Sequence, residues 1–354
     1  MTGAGVHVHE TAPARVLIGP GARRNVPSEV GRLGAERVFI LATNSAARAA
    51  DECRAELGSR AVGRFDGAVV HTPVHVTEAA LDLVLASRAD VVVAFGGGSA
   101  TGLSKALSAR TGLPQVVVPT TYAGSEVTPV LGETRDGVKT TRRDPAILPG
   151  TVVYDPELTL SMPRGLTLTS ALNALAHAVE ALWAVDASAY TDALATEAVS
   201  SIVQALSRVL DAPPGPAGTT DLAGREQLQA GAWLAGCCLA QTRMGLHHQL
   251  AHALGGSFDL PHAELHALLL PHVTAYNLPA APAARERLAR AVGGDPTEVL
   301  ATLAARHDGA RRLRDLDVPW DRLRAVAERV AAAPYPNPAP VDVDSVTGLL
   351  ERTW

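Results

Sequence analysis

One discontinuity constrains the fold of this chain more than any motif in it. As far as about residue 155, short β-branched runs alternate with helix-like segments. The runs are RVFILA (37–42), AVGRF (61–65), DVVVAF (90–95), QVVVP (115–119) and TVVYD (151–155). Between them lie segments such as TEAALDLVLASRA (77–89), whose apolar residues recur at three and four positions. Strands alternating with one-faced helices predict a parallel sheet covered on both sides. From Pro156 the strand-like runs nearly vanish. Long Ala/Leu-rich periodic segments replace them, at 167–185, 190–210 and 225–243, and predict a helical bundle. At 354 residues and 47% hydrophobic, the chain exceeds what one core usually supports, so two domains are expected, an α/β unit over 1–155 and an all-helical unit over 156–354. DAPPGPAGTTD (211–221) predicts an exposed loop between helices, and YPNPAP (335–340) a break before a last short helix.

Charge and composition remove several function classes. The formal net charge is −5 and no basic run is interleaved with aromatic residues, which leaves no electrostatic footprint for nucleic acid. The first residues, MTGAGVHVHETAPARVLIG, lack a cationic start followed by an apolar core, and no later stretch reaches the ~18 apolar residues that span a bilayer. No membrane association is predicted, and the expected location is the cytoplasm. The three cysteines, Cys53, Cys237 and Cys238, have the spacing of neither a zinc knuckle nor a redox motif. They read as small buried hydrophobes in a reducing compartment.

Two loops carry a ligand signal. The strand DVVVAF runs into Gly96, Gly97, Gly98 and Ser99 at the start of an amphipathic helix. Glycines let a backbone approach a ligand, and the free amides of a helix N-terminus favour an anion such as pyrophosphate. The run is neither the GxGxxG fingerprint nor a P-loop, so alone it also fits an empty tight turn. After the next strand comes PTTYAGSEVTP (119–129), with hydroxyls on Thr120, Thr121, Tyr122 and Ser125. Open α/β sheets take ligands at the carboxyl ends of their strands, so two such loops on one rim predict a dinucleotide site.

The other signal is GLHHQLAHALGGSFDLPH (245–262), which holds His247, His248, His252 and His262 and is followed by His266 and His272. Six of the chain's 12 histidines fall there. His248 and His252 are one helical turn apart, as are Asn173 and His177 upstream, so each pair shares a face. His7, His9, His71, His75 and His307 read as solvated or structural, and His266 and His272 as packing or capping residues.

Taken in order, GGGSATGLSKAL (96–107), VPTTYAGSEVTP (118–129), GVKTTRRDPAILPGTVVYDPEL (137–158), LNALAHAVEALWA (172–184), the histidine-rich stretch (244–277) and PYPNPAP (334–340) resemble the iron-containing alcohol dehydrogenase superfamily. Within it, the likeness is greatest to the maleylacetate reductases. The resemblance implies a dehydroquinate synthase-like fold, with an N-terminal NAD(P)-binding α/β domain and a helical C-terminal catalytic domain. It implies a homodimer that uses NADH or NADPH to reduce maleylacetate, a small unsaturated dicarboxylate, to 3-oxoadipate in aromatic-compound degradation.

Residue by residue, the resemblance places Gly96, Gly97, Gly98 and Ser99 on the pyrophosphate, and Thr120, Thr121 and Ser125 near the phosphates and ribose. Lys139 matches a lysine that reaches toward the nicotinamide half. Asn44 stands where NAD-preferring relatives carry an Asp; it does not repel a 2′-phosphate, so both cofactors stay open. In the metal-using relatives an Asp, a His four residues later and two further histidines hold the ion, and those positions are Asn173, His177, His248 and His262 here. An amide is a weaker ligand for a divalent ion than a carboxylate, although three histidines can still hold zinc. The expectation is a reaction without zinc or iron; if an ion is bound, its ligands are His177, His248 and His262.

Such a reduction needs a hydride to one carbon, a proton to its neighbour and stabilisation of the developing enolate oxygen. Histidine suits the proton step. His252 is the expected donor, with His248, His177 and His262 orienting or polarising the substrate, and Arg143 and Arg243 are candidate carboxylate anchors. Two departures from the family pattern, Val130–Leu131 after the serine loop and QLAH at 249–252, are positions where a different substrate would register. The alternatives are therefore a reductase of a related unsaturated keto acid in a biosynthetic pathway, or a metal-dependent alcohol or polyol dehydrogenase. A catalytically silent nucleotide sensor is a third; the intact glycine loop and four histidines argue against it.

Overall fold

The computed structural model describes residues 15–215, 218–219 and 221–354; His7 and His9 lie outside the described residues. The α/β part begins with β1 (Arg15–Ile18), α1 (Val26–Arg32), β2 (Val38–Ala42), α2 (Ala47–Leu57), β3 (Ala61–Phe65) and α3 (Val74–Ser87). It continues with β4 (Val91–Gly96), α4 (Gly98–Thr111), β5 (Gln115–Pro119), β6 (Val130–Arg135), β7 (Val138–Arg143) and β8 (Thr151–Tyr154). Six strands form one parallel sheet in the order β1-β8-β5-β4-β2-β3. Along β4, Val91, Val93 and Phe95 enter one core and Val92 and Ala94 the other, which is why the run is apolar at every position.

The strand order locates the ligand crevice. From β2 the chain passes outward to β3, whereas from β4 it passes the other way to β5, so the connections diverge between β2 and β4. Open parallel sheets take ligands at such a switch point, outside the carboxyl ends of the strands. The residues that follow these two strands are Thr43–Asn44 and Gly97–Gly98.

Two elements lie outside the periodic pattern. The four-residue edge strand β1 is too short to show alternation. Strands β6 and β7 pair as an antiparallel hairpin although VLGETR and VKTTRR are largely polar. Its signal is the turn: Asp136 and Gly137 both adopt left-handed backbone, φ 51° and 75°, as a two-residue hairpin turn requires.

The helical part comprises α5 (Arg164–Ala181), α6 (Ala189–Asp211), α7 (Leu222–Gln241), α8 (Leu246–Phe258), α9 (His262–Asn277), α10 (Pro282–Val292), α11 (Pro296–Ala304), α12 (Leu323–Ala332) and α13 (Val343–Thr353). Every residue of α5 from Thr167 to Ala181 is buried, because α6, α7 and α9 surround it. A helix enclosed on all sides needs no polar face, and the polar residues it does carry call for another explanation. Within 211–221, expected as plain loop, Pro214–Gly215 pairs with Gly218–Thr219 as a minimal antiparallel ladder between α6 and α7. No helix among the described residues is long and apolar enough to cross a membrane.

Candidate active site

The glycine loop is built for close approach. Gly96 has φ 149°, and a Cβ there would stand 2.8 Å from the Thr43 side chain, while one on Gly97 would stand 2.9 Å from Thr121. The loop is thus pressed between the ends of β2 and β5, and any side chain would fill the cradle. α4 begins at Gly98 with no side-chain cap, so its first amides remain available to an anion. Asn44 is exposed on the neighbouring rim, Ser99 is half-buried, and the Thr120 amide donates to the Gly96 carbonyl at 3.1 Å. The shape and donors fit a pyrophosphate.

The serine loop joins this rim to the helical part. Gly124 has φ 75°, and a Cβ there would stand 3.1 Å from Gly236 Cα on α7 and 3.4 Å from His177 Nδ1 on α5. Glycine is required by the backbone and by the space alike. Through this contact the nucleotide crevice meets the histidines.

Six histidines assemble on three helices: His177 from α5, His247, His248 and His252 from α8, and His262 and His266 from α9. His177 stacks on His248 with centroids 5.0 Å apart, and His252 on His262 at 5.6 Å. His247 Nε2 lies 2.8 Å from His266 Nδ1, and His266 Nε2 lies 3.0 Å from His262 Nε2, one hydrogen bridging each gap. His266, read from the sequence as a packing residue, is instead the buried link between His247 and His262. His272 stands apart, half-buried near Arg352 and Arg312.

Burial holds these imidazoles neutral. It pushes His247 and His262 down to about 3, and His177, His248 and His266 well below the ordinary histidine value. His252 is lowered too, by burial and by the nearby Lys139 ammonium. Lys139, on β7 opposite Thr134, is itself lowered by burial. His71, in the loop before α3, is near enough to act on His262 through space.

Glu180, unremarked in the sequence reading, organises the centre. It lies on α5, three residues beyond His177 and seven beyond Asn173, and is buried. Its carboxylate accepts from the amides of Gly245 (3.2 Å), His247 (2.9 Å) and His248 (3.4 Å) and from His248 Nδ1 (2.6 Å). All four partners are donors, so the group is held as a carboxylate although burial raises its affinity for a proton. The remaining amide of the α8 first turn, Leu246, donates to Asn337 Oδ1 at 3.3 Å, from the proline-rich segment 335–340. Two side chains from distant segments thus satisfy the N-terminus of α8. A Cβ on Gly245 would stand 3.2 Å from Glu180 Oε1 and from Asn337 Oδ1, which explains the glycine.

With Nδ1–H of His248 donated to Glu180, Nε2 carries the lone pair. His248 Nε2, Asn173 Oδ1 and His177 Nδ1 are buried and have no partner among the described residues. Buried polar atoms are normally satisfied, so these three mark where a ligand or water completes the site. A divalent ion fits the donors poorly as they stand. Asn173 is neutral, His262 Nε2 is engaged by His266, and among the described residues no group of three His, Cys, Asp or Glu is placed to hold a metal.

The remaining candidates are placed as follows. Arg143 donates to the Ala240 carbonyl, and Arg243, exposed, pairs with Asp186 at 3.3 Å, so both guanidinium groups already have partners. Ser125 faces Lys105 of α4, whose Nζ donates to its carbonyl and hydroxyl. Leu131 is buried with Ala106 and Ile147, and Leu250 and Ala251 are buried in the core around α8 and α9. Of the two departures, only half-buried Val130, half-buried Gln249 and exposed His252 reach beyond the core.

Comparison with known proteins agrees with this architecture. Residues 13–156 match the family described as iron-containing alcohol dehydrogenase, and residues 167–354 its C-terminal part. A maleylacetate reductase of Rhizobium sp. (strain MTP-10005) is 46% identical over 347 residues, 98% of this chain and 97% of that protein. Maleylacetate reductase 1 of Rhodococcus opacus is 45% identical over 344 residues, covering 97% of this chain and 94% of the other. The crystal structure of maleylacetate reductase from Agrobacterium tumefaciens superposes with a TM-score of 0.93 at 45% identity, over 99% of this chain and 98% of that one.

Proposed function

The chain belongs to the iron-containing alcohol dehydrogenase family, a family of oxidoreductases, and from that premise we propose that it is an NADH- or NADPH-dependent reductase of maleylacetate. The observation that carries the reading is the junction of Gly124 with His177, which sets the buried imidazoles against a crevice shaped for a dinucleotide pyrophosphate. Full-length similarity to maleylacetate reductases supports the substrate. In this reading residues 1–155 bind cofactor, residues 156–354 carry the chemistry, and the protein works as a cytoplasmic homodimer.

When bound, the reduced nicotinamide would supply the hydride. Gly96, Gly97, Gly98 and the first amides of α4 hold the pyrophosphate, with Ser99, Thr120 and Thr121 around it. His248, fixed by Glu180, accepts a hydrogen bond at Nε2 and orients the substrate together with Asn173 and His177. His252, on the exposed side of the cluster, delivers the proton to carbon. Its affinity for protons is lowered, so once protonated it is a stronger acid than an ordinary imidazolium. Lys139, which has no acidic side chain paired with it among the described residues, draws a substrate carboxylate toward His252 and His262, a role the partnered Arg143 and Arg243 fill less well. No step is assigned to a metal.

The test is oxidation of NADH and of NADPH, followed at the nicotinamide absorbance, with maleylacetate and with a panel of other unsaturated keto acids, each before and after chelator treatment. Turnover with maleylacetate that survives chelation is expected. Preference for another acid would sink the substrate assignment, and loss of turnover that zinc or iron restores would sink the metal-free one.

A further inference from the structure

Lys105 is a lysine with no exposed surface, on the α4 helix that starts at the glycine loop. Its ammonium donates to the Ser125 carbonyl (2.5 Å), Ser125 Oγ (3.3 Å), Thr128 Oγ1 (3.1 Å) and the Val130 carbonyl (2.9 Å). Three N–H groups meet four acceptors, so one donor is shared between two of them. All four acceptors belong to residues 125–130, and none is a carboxylate. Glu126 influences Lys105 through space, but its Oε1 accepts instead from the Tyr154 hydroxyl at 2.8 Å. The ammonium therefore sits as a bound monovalent cation would, with the serine loop wrapped around it.

A buried lysine that only filled space could be replaced by an apolar side chain, and its partners would come from whatever lay nearby. Here they form one loop, and that loop is the second wall of the cofactor crevice, opposite the glycines from which α4 begins. The hydroxyl directions follow. Thr128 accepts from Lys105 and donates to the Ser125 carbonyl at 3.0 Å. Ser125 Oγ accepts from Lys105, so its own hydrogen points elsewhere, and among the described residues no acceptor takes it.

We propose that Lys105 is a positioning residue for cofactor binding: it ties the serine loop to α4 and directs the Ser125 O–H into the crevice, as a donor to the nicotinamide-side half of the dinucleotide. The inference rests on the cofactor reading above. Burial lowers Lys105 to about 7, and the neighbouring Glu126 carboxylate and four acceptors oppose that loss of charge.

The test compares Lys105→Met with the full-length native chain by NADH fluorescence titration, by ADP calorimetry and by hydrogen exchange of amides 124–130. ADP reaches the glycine loop but carries no nicotinamide half. NADH should bind about tenfold more weakly, equivalent to ~1.4 kcal/mol, while ADP affinity stays within about twofold. The loop amides should exchange faster, and Ser125→Ala should add nothing further to the NADH loss in the Met background. Unchanged NADH affinity, or equal losses for NADH and ADP, overturns the proposal. Should Lys105→Met fail to fold, Thr128→Val removes one acceptor and keeps the lysine. A smaller NADH-selective loss then supports the tether, and none overturns it. If the native chain binds ADP but not NADH, the cofactor reading fails, while loop exchange still reports on the tether.

Discussion

At the residue scale the decisive side chain is Glu180. A carboxylate buried in a helix core is costly unless fully paired, and Glu180 is paired by three amides and an imidazole of α8. One group thereby caps a helix, selects the tautomer of His248 and leaves Nε2 carrying the lone pair. Glu180→Gln keeps the volume but sets an amide N–H₂ against donors. We expect it to cost about 1–3 kcal/mol of stability by denaturant unfolding. We also expect kcat to fall further than the unfolded fraction accounts for, because His248 loses its fixed tautomer. Native-like kcat in a folded Glu180→Gln protein would remove His248 from the mechanism. The spacing Asn173, His177, Glu180 on one helix face was legible in the sequence. Its meaning was not, since the partners of Glu180 lie 65 to 68 residues away.

At the element scale, the glycine loop, the serine loop and the β6–β7 hairpin are each decided by local backbone chemistry. Gly97→Ala places a methyl 2.9 Å from Thr121, the far wall of the crevice. Its expected result is NADH affinity reduced about tenfold or more, ~1.4 kcal/mol, with the unfolding midpoint little changed, because Gly97 is half-exposed. Native affinity in calorimetry would mean that the pyrophosphate does not sit there. The β-branched runs identified five of the six sheet strands because buried parallel strands are apolar on both faces. The hairpin escaped that criterion because its strands, Leu131 apart, are half-exposed or exposed, although Asp136–Gly137 is a recognisable turn. Leu131 shows the converse: the family departure marks it as a position where a different substrate would register, and its side chain packs instead into the core with Ala106 and Ile147.

At the scale of the whole molecule, folding gathers six imidazoles into one cluster, four of them buried, and disfavours their protonation. Each has a lowered folded-state proton affinity, to about 3 for His247 and His262, against an ordinary value of 6.5. Between these limits the unfolded chain binds more protons than the folded one, so stability is complete above 6.5 and declines as pH falls toward 3. Denaturant midpoints measured from pH 7.5 down to about 4.5 should fall steadily, and His247→Gln, which cannot take up that proton, should show a shallower decline. A midpoint independent of pH would mean that the imidazoles take up protons alike in the folded and the unfolded chain.

The sequence alone determined the two-part architecture, the glycine and serine loops and four of the six clustered histidines, because periodicity, turn chemistry and motif spacing are properties of neighbouring residues. Only the tertiary structure decided that His247 and His266 join the site, that Arg143 and Arg243 are engaged elsewhere, and that Glu180 and Lys105 hold α8 and the serine loop in place. Those assignments depend on which donors meet which acceptors after burial. Desolvation makes an unpaired buried group costly, and the partners that relieve it come from segments distant in the chain.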